Sequence, residues 1–120
     1  MEKKLYRQLK IANELKKQIS YIFQYHIDDI RLNKFITITD LLISKDLSYA
    51  KIFIMIPYKQ INNNAINNFK QELHFLNNIT GYIRFILKKT MLLRNVPQLK
   101  FFLDSSLEEG NYIYNLIKNN

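Results

Sequence analysis

The chain has 120 residues, enough for one hydrophobic core and too few for two. Its 48% hydrophobic content, with eight Tyr and eight Phe, excludes a disordered chain, and the lack of cysteine excludes disulfide and thiolate chemistry. Eighteen Lys and Arg against ten Asp and Glu leave a formal charge of +8, which directs attention to a polyanion such as nucleic acid or a membrane surface, although such an excess also serves solubility.

The opening "MEKKLYRQLK" has charge with no apolar run after it, unlike a signal peptide. No stretch approaches the roughly 18 apolar residues of a spanning helix. A soluble, cytoplasmic protein is expected. Residues 5–27 then place Leu5, Leu9, Ala12, Leu15, Ile19, Phe23 and Ile27 at three- and four-residue intervals, predicting a helix with one buried face. Its other side carries Lys3, Arg7, Lys10 and Lys17, interrupted by Glu14. That stripe either grips phosphates or is an ordinary solvated face.

From Phe35 the period changes to two. "FITITDL" alternates Ile36 and Ile38 with Thr37 and Thr39, a β-branched strand. "SKDLS" (44–48) supplies a turn, and "YAKIFIMI" sets Ala50, Ile52, Ile54 and Ile56 against Tyr49, Lys51, Phe53 and Met55. The two strands predict an antiparallel hairpin, and Pro57 ends the second or puts its end at an edge. Asn63 or Asn64 is placed to cap a second long helix through Ala65, Ile66, Phe69, Leu73 and Leu76, continuing after Gly81 through Ile83, Ile86 and Leu87. Pro97 breaks it and forces Val96 extended. "QLKFFLD" predicts a third strand with Leu99, Phe101 and Leu103 on one face. Ser105 with Glu108, or Ser106 with Glu109, has capping-box spacing for a last helix, where Gly110 shares a face with Ile113 and Ile117.

Convergent reactive groups are missing from this pattern. His26 and His74 are isolated, and His26 with Asp28 and Asp29 lacks a further ligand at metal-site spacing. Neither glycine belongs to a phosphate-binding loop, and no local motif marks a nucleophilic serine. No enzyme, metal or cofactor is expected.

Gly81 stands out instead. A glycine inside a helix costs about 1 kcal/mol relative to alanine. On a helix, Asn77, Gly81, Arg84 and Lys88 follow the i, i+4, i+7, i+11 spacing of one face, with Thr80 and Lys89 beside them. A bare backbone patch next to positive charge suits a sugar-phosphate backbone, and a kink there would free amides for phosphate oxygens. Equally, the glycine could only relieve crowding against the first helix.

Four stretches carry a resemblance that covers nearly the whole chain: "DDIRL" (28–32), "TITDLLISKDLSYAKIFI" (37–54), "NNITGYIR" (77–84) and "RNVPQLKFFLDSSLEEGNYI" (94–113). In that order and at those intervals they resemble the bacterial ribosome-binding factor A family. The resemblance implies one α+β, KH-like domain over residues 1–120. Its type II order is helix, strand, strand, helix, kink, helix, strand, helix, with a three-stranded sheet and the helices on one face. It also implies that the GxxG loop of KH domains is replaced by a kink, typically Ala-x-Gly, here Ile79, Thr80 and Gly81. Ile79 in place of alanine should crowd the kink, and Ile30 replaces a proline of the family's Asp-Pro-Arg-Leu.

By the same resemblance the protein is a non-enzymatic assembly factor. It would bind 16S ribosomal RNA and immature 30S subunits as a monomer, through phosphate contacts and shape. It would serve late maturation, including 5′-end processing and growth in the cold, with a separate GTPase assisting release. The residues expected at RNA are Asn77, Thr80, Gly81, Arg84, Lys88 and Lys89 around the kink, then Arg7, Lys10 and Lys17 on the first helix. Lys45 at the turn and Arg94 beside the third strand either contact RNA or pair with acids such as Asp46 or Asp104. The competing expectations are a generic KH-like binder of single-stranded RNA, whose GxxG clamp is absent, and a protein-interaction module on the open sheet face at Tyr49, Phe53 and Phe102. A basic amphipathic helix on a membrane, formed by residues 1–27, sits poorly with a three-stranded core.

Overall fold

A computed structural model of the chain describes residues 2–28, 36–56 and 65–104. The elements there are α1 (Glu2–Tyr25), β1 (Thr37–Ile43), β2 (Tyr49–Met55), α2 (Ala65–Asn78), α3 (Thr80–Thr90) and β3 (Gln98–Leu103). The α+β order matches the expected one through the third strand. Pro57, the caps at Asn63 and Asn64, Ile30, and the last helix with Gly110 lie outside the described residues.

The alternating β-branched runs form a three-stranded sheet of order β1-β2-β3. β1 and β2 are the antiparallel hairpin, and β2 pairs in parallel with β3. A parallel pair needs a long crossover, which α2 and α3 supply. One correction concerns β1. Strict alternation after Ile36 and Ile38 would turn Asp40 inward. A bulge between Ile38 and Asp40 absorbs Thr39, so Leu41 is buried and Asp40 faces water. The Thr39 hydroxyl donates to the Phe53 carbonyl at 3.2 Å.

Ile38, Leu41, Ala50, Ile52, Ile54, Leu99 and Phe101 form the inner face of the sheet, joined in one cluster with Leu15, Ile19 and Phe23 of α1, Leu76 of α2, and Ile83 and Leu87 of α3. Phe23 and Phe101 meet at 5.8 Å between ring centroids. The helices thus cover one face, as expected. The predicted buried stripe of α1 is too long, however. Leu5 and Leu9 are 59% and 56% exposed, and burial begins at Ile11 and Ala12. A 24-residue helix runs to about 36 Å, longer than a seven-residue strand of roughly 23 Å, so its first turns have no sheet beneath them.

Candidate nucleic-acid interface

The two crossover helices are separate. Their break falls at Ile79, the N-cap of α3, with φ −102° and ψ 13° and no side-chain cap. The Ile79 amide is shared between the Phe75 and Leu76 carbonyls, both at 3.2 Å, and α3 restarts when Ile83 N–H donates to Ile79 O at 3.0 Å. Ile79 itself packs against the core. The expected crowding by this residue is therefore directed inward, away from the outer side of the kink.

The break also revises the single-face expectation, since Asn77 belongs to α2 while Gly81, Arg84 and Lys88 belong to α3. Asn77 is committed to the fold. Its Nδ2 donates to Phe101 O at 3.2 Å and its Oδ1 accepts Phe101 N–H at 2.9 Å, so one amide satisfies both backbone groups of Phe101 on strand β3, an edge of the sheet. Arg84 is half-buried, donating through Nε to Pro97 O and through Nη2 to Val96 O, each at 3.0 Å. It thereby holds the approach to β3. Two of its five donors are used there, and its charge stays beside the kink. The half-buried Thr80 hydroxyl donates to Asn77 O at 3.3 Å.

What remains on the outside is Gly81, Lys88 and Lys89, all exposed. A Cβ built on Gly81 would meet nothing within 4 Å, and its φ is not positive. The alternative that Gly81 relieves crowding against α1 is therefore wrong, and no backbone conformation demands glycine there. Exposed Phe85 and Tyr82, at 56% and 50%, lie on the same outer side. The Lys89 ammonium sits 4.2 Å from the Phe85 ring centroid, and the Tyr82 hydroxyl donates to His26 O at 3.4 Å. Sequence reasoning missed both aromatics because "YIRFIL" looks like core. The signal was present: Ile83, Ile86 and Leu87 define the buried side, which leaves Phe85 opposite.

The other expected contacts are spread over the surface. Arg7, Lys10 and Lys17 are exposed along α1, Lys45 is exposed in the hairpin turn, and Arg94 is exposed before β3. His74 is exposed on α2. Among the described residues no group of His, Asp or Glu is arranged to hold a metal, and no helix is long and apolar enough to cross a membrane.

Residues 7–117 match the family model described as ribosome-binding factor A. The ribosome-binding factor A of Buchnera aphidicola subsp. Cinara cedri (strain Cc) is 45% identical over 119 residues, spanning 99% of both chains. That of Buchnera aphidicola subsp. Baizongia pistaciae (strain Bp) is 44% identical over 97% of this chain and 94% of its own length. The fold is also similar to the crystal structure of ribosome-binding factor A from Thermus thermophilus, with a TM-score of 0.66 at 19% identity over 80% of this chain and 93% of that one. A homology model of the Thermus thermophilus factor, fitted into a cryo-electron-microscopy map of its complex with the 30S subunit, matches with a TM-score of 0.59 at 21% identity over the same shares.

Proposed function

The chain belongs to the ribosome-binding factor A family, and on that premise we propose that it binds the small ribosomal subunit during assembly through the outer side of the α2–α3 break. The particle is an immature 30S subunit, the ligand is 16S rRNA, and the outcome is late maturation including processing of the RNA's 5′ end. A separate GTPase assists release, and the factor acts as a cytoplasmic monomer without chemistry of its own.

Gly81 is the observation that supports this most. Its bare backbone faces open space, and nothing in the described chain makes use of the missing side chain. A partner from outside is the natural beneficiary, and Lys88 and Lys89 about two turns along make that partner anionic. The first amides of α3 have no partner within their own helix, and no side chain caps them, which suits phosphate oxygens. Arg84 adds positive potential while holding β3, and Arg7, Lys10, Lys17, Lys45 and Arg94 supply the longer-range field.

Co-sedimentation with separated small and large subunits at 50 and 200 mM salt tests this. With about six phosphates engaged, affinity should fall roughly a thousandfold across that range. Lys88→Glu with Lys89→Glu should abolish selective binding to small subunits while leaving the unfolding transition in place. Equal binding to both subunits, or small-subunit binding indifferent to the double change, would sink the proposal. Arg84 is a poor choice for this test because its loss would loosen β3.

A further inference from the structure

The face of the sheet turned away from the helices carries a second pattern. Across the strands, Tyr49 is paired with Gln98, Leu42 with Lys51 and Lys100, Asp40 with Phe53 and Phe102, and Thr37 with Met55. Successive rows lie about 6.6 Å apart along the strands. Two lysines in register thus separate a tyrosine from a pair of phenylalanines. Phe53 and Phe102 are half-buried, with ring centroids 5.6 Å apart and planes at 28°. Lys51 and Lys100 are exposed, and the Lys100 ammonium stands 5.5 Å over the Phe102 ring. Leu42 and Met55 are exposed apolar residues at the margins. Among the described residues no helix packs on this side.

We propose that this sheet face is a second RNA site, which takes an unpaired stretch by stacking bases on Phe53 and Phe102 and holding its phosphates with Lys51 and Lys100. Aromatic platforms beside positive charge are the general means of holding single strands without reading their sequence. The lysine row supplies the charge complementarity, and it belongs to a chain with an excess of eight positive charges. Two acids border the row. Asp40 occupies the β1 side of the phenylalanine row, its Oδ1 accepting the Leu41 N–H at 2.8 Å, and Asp104 follows the end of β3. The bulge residue Thr39 also ties β1 to this platform, its hydroxyl donating to the carbonyl of Phe53 itself. Phosphate contact at the α2–α3 break and base stacking here would let one small domain hold a structured RNA and a neighbouring single strand together. This inference rests on the proposed RNA-binding role but uses different residues.

The test is titration of the full chain with a fluorescent oligouridylate about a dozen nucleotides long, within the range of site sizes seen for single-strand binders. Phe53→Leu with Phe102→Leu keeps both positions apolar and removes the stacking surface. Affinity should fall about tenfold with an unchanged salt slope, whereas Lys51→Gln with Lys100→Gln should lower that slope by about 1.4. Unchanged affinity in the leucine variant, with its unfolding midpoint retained, overturns the proposal. A photoreactive phenylalanine analogue at position 102 gives an independent reading in small subunits. Cross-linking to rRNA supports the site; cross-linking to a ribosomal protein, or to residues 105–120 of the same chain, overturns it. Failure of the Lys88 and Lys89 variant to alter small-subunit binding would strike the proposed function and leave this result readable.

Discussion

Regular structure is interrupted at the hairpin turn, residues 44–48, and at the α2–α3 break, and the two are built in opposite ways. In the turn, Asp46 Oδ1 accepts the Ser44 and Ser48 hydroxyls, both at 2.7 Å, and the Ser48 N–H at 3.1 Å. The Ser44 oxygen in turn accepts the Ser48 and Tyr49 amides. Leu47, with φ at 62°, is held in the left-handed region that leucine normally avoids, at about 1–2 kcal/mol. The turn closes on itself and tolerates strain to do so. At the break, Ile79 has no side-chain cap, and a glycine that no neighbour requires faces open space. Polar groups satisfied locally mark a piece of architecture. A helix start left uncapped near a bare backbone and two lysines is what the proposed RNA contact would use.

The inner side of the break resembles the turn, and the largest expected effects lie there. Asn77→Ala leaves the N–H and C=O of Phe101 without their amide partner. We expect a loss of about 1–3 kcal/mol in urea unfolding, the usual cost of orphaned backbone groups. Arg84→Met should cost a similar amount by releasing the Val96 and Pro97 carbonyls. If either variant unfolds like the parent but binds small subunits poorly, the division between an inner structural side and an outer binding side is wrong.

Gly81→Ala should act the other way. With nothing within 4 Å of the added methyl and no positive φ, the substitution should stabilise the helix by up to about 1 kcal/mol. Small-subunit binding should weaken because the backbone can no longer be approached as closely. Stability and binding moving in opposite directions is the signature sought, measured by unfolding and co-sedimentation on the same preparation. Tighter or unchanged binding would mean that the glycine is incidental.

These contrasts show which features were legible in the sequence. The hairpin, its Ser-Lys-Asp-Leu-Ser turn, the third strand and the unusual glycine followed from periodicity and turn chemistry, which are local. The bulge at Thr39 was not legible, because the pattern around it accommodates strict alternation and only pairing with β2 shows the extra residue. Nor was the exposure of Leu5 and Leu9, since periodicity says which side of a helix is apolar and nothing about how far the sheet beneath it extends. A continuous helix would turn Asn77 and Arg84 outward together, and the break removes that premise. Their real partners are backbone groups 12 to 24 residues away, invisible to spacing along one element.

The smallest expected effect belongs to the turn and is confined to acid. Hydrogen bonds from the Ser48 and Ser44 hydroxyls and the Ser48 amide hold the Asp46 carboxyl down from 3.8 to about 2. Those donors favour the ionised form, so the folded state binds this proton less readily than the unfolded chain. The stabilisation is therefore fully present above the unfolded value near 4 and is lost as the pH falls toward 2. Asp46→Asn should remove this part of the acid sensitivity, so the difference in stability between parent and variant should shrink as the pH is lowered from about 5 to 2. Because the carboxyl is exposed, the change should be small, and small-subunit binding at neutral pH should not follow it. A binding defect in Asp46→Asn as large as that of the Lys88 and Lys89 variant would place Lys45 and the turn on the RNA, and would end the distinction between a closed turn and an open break.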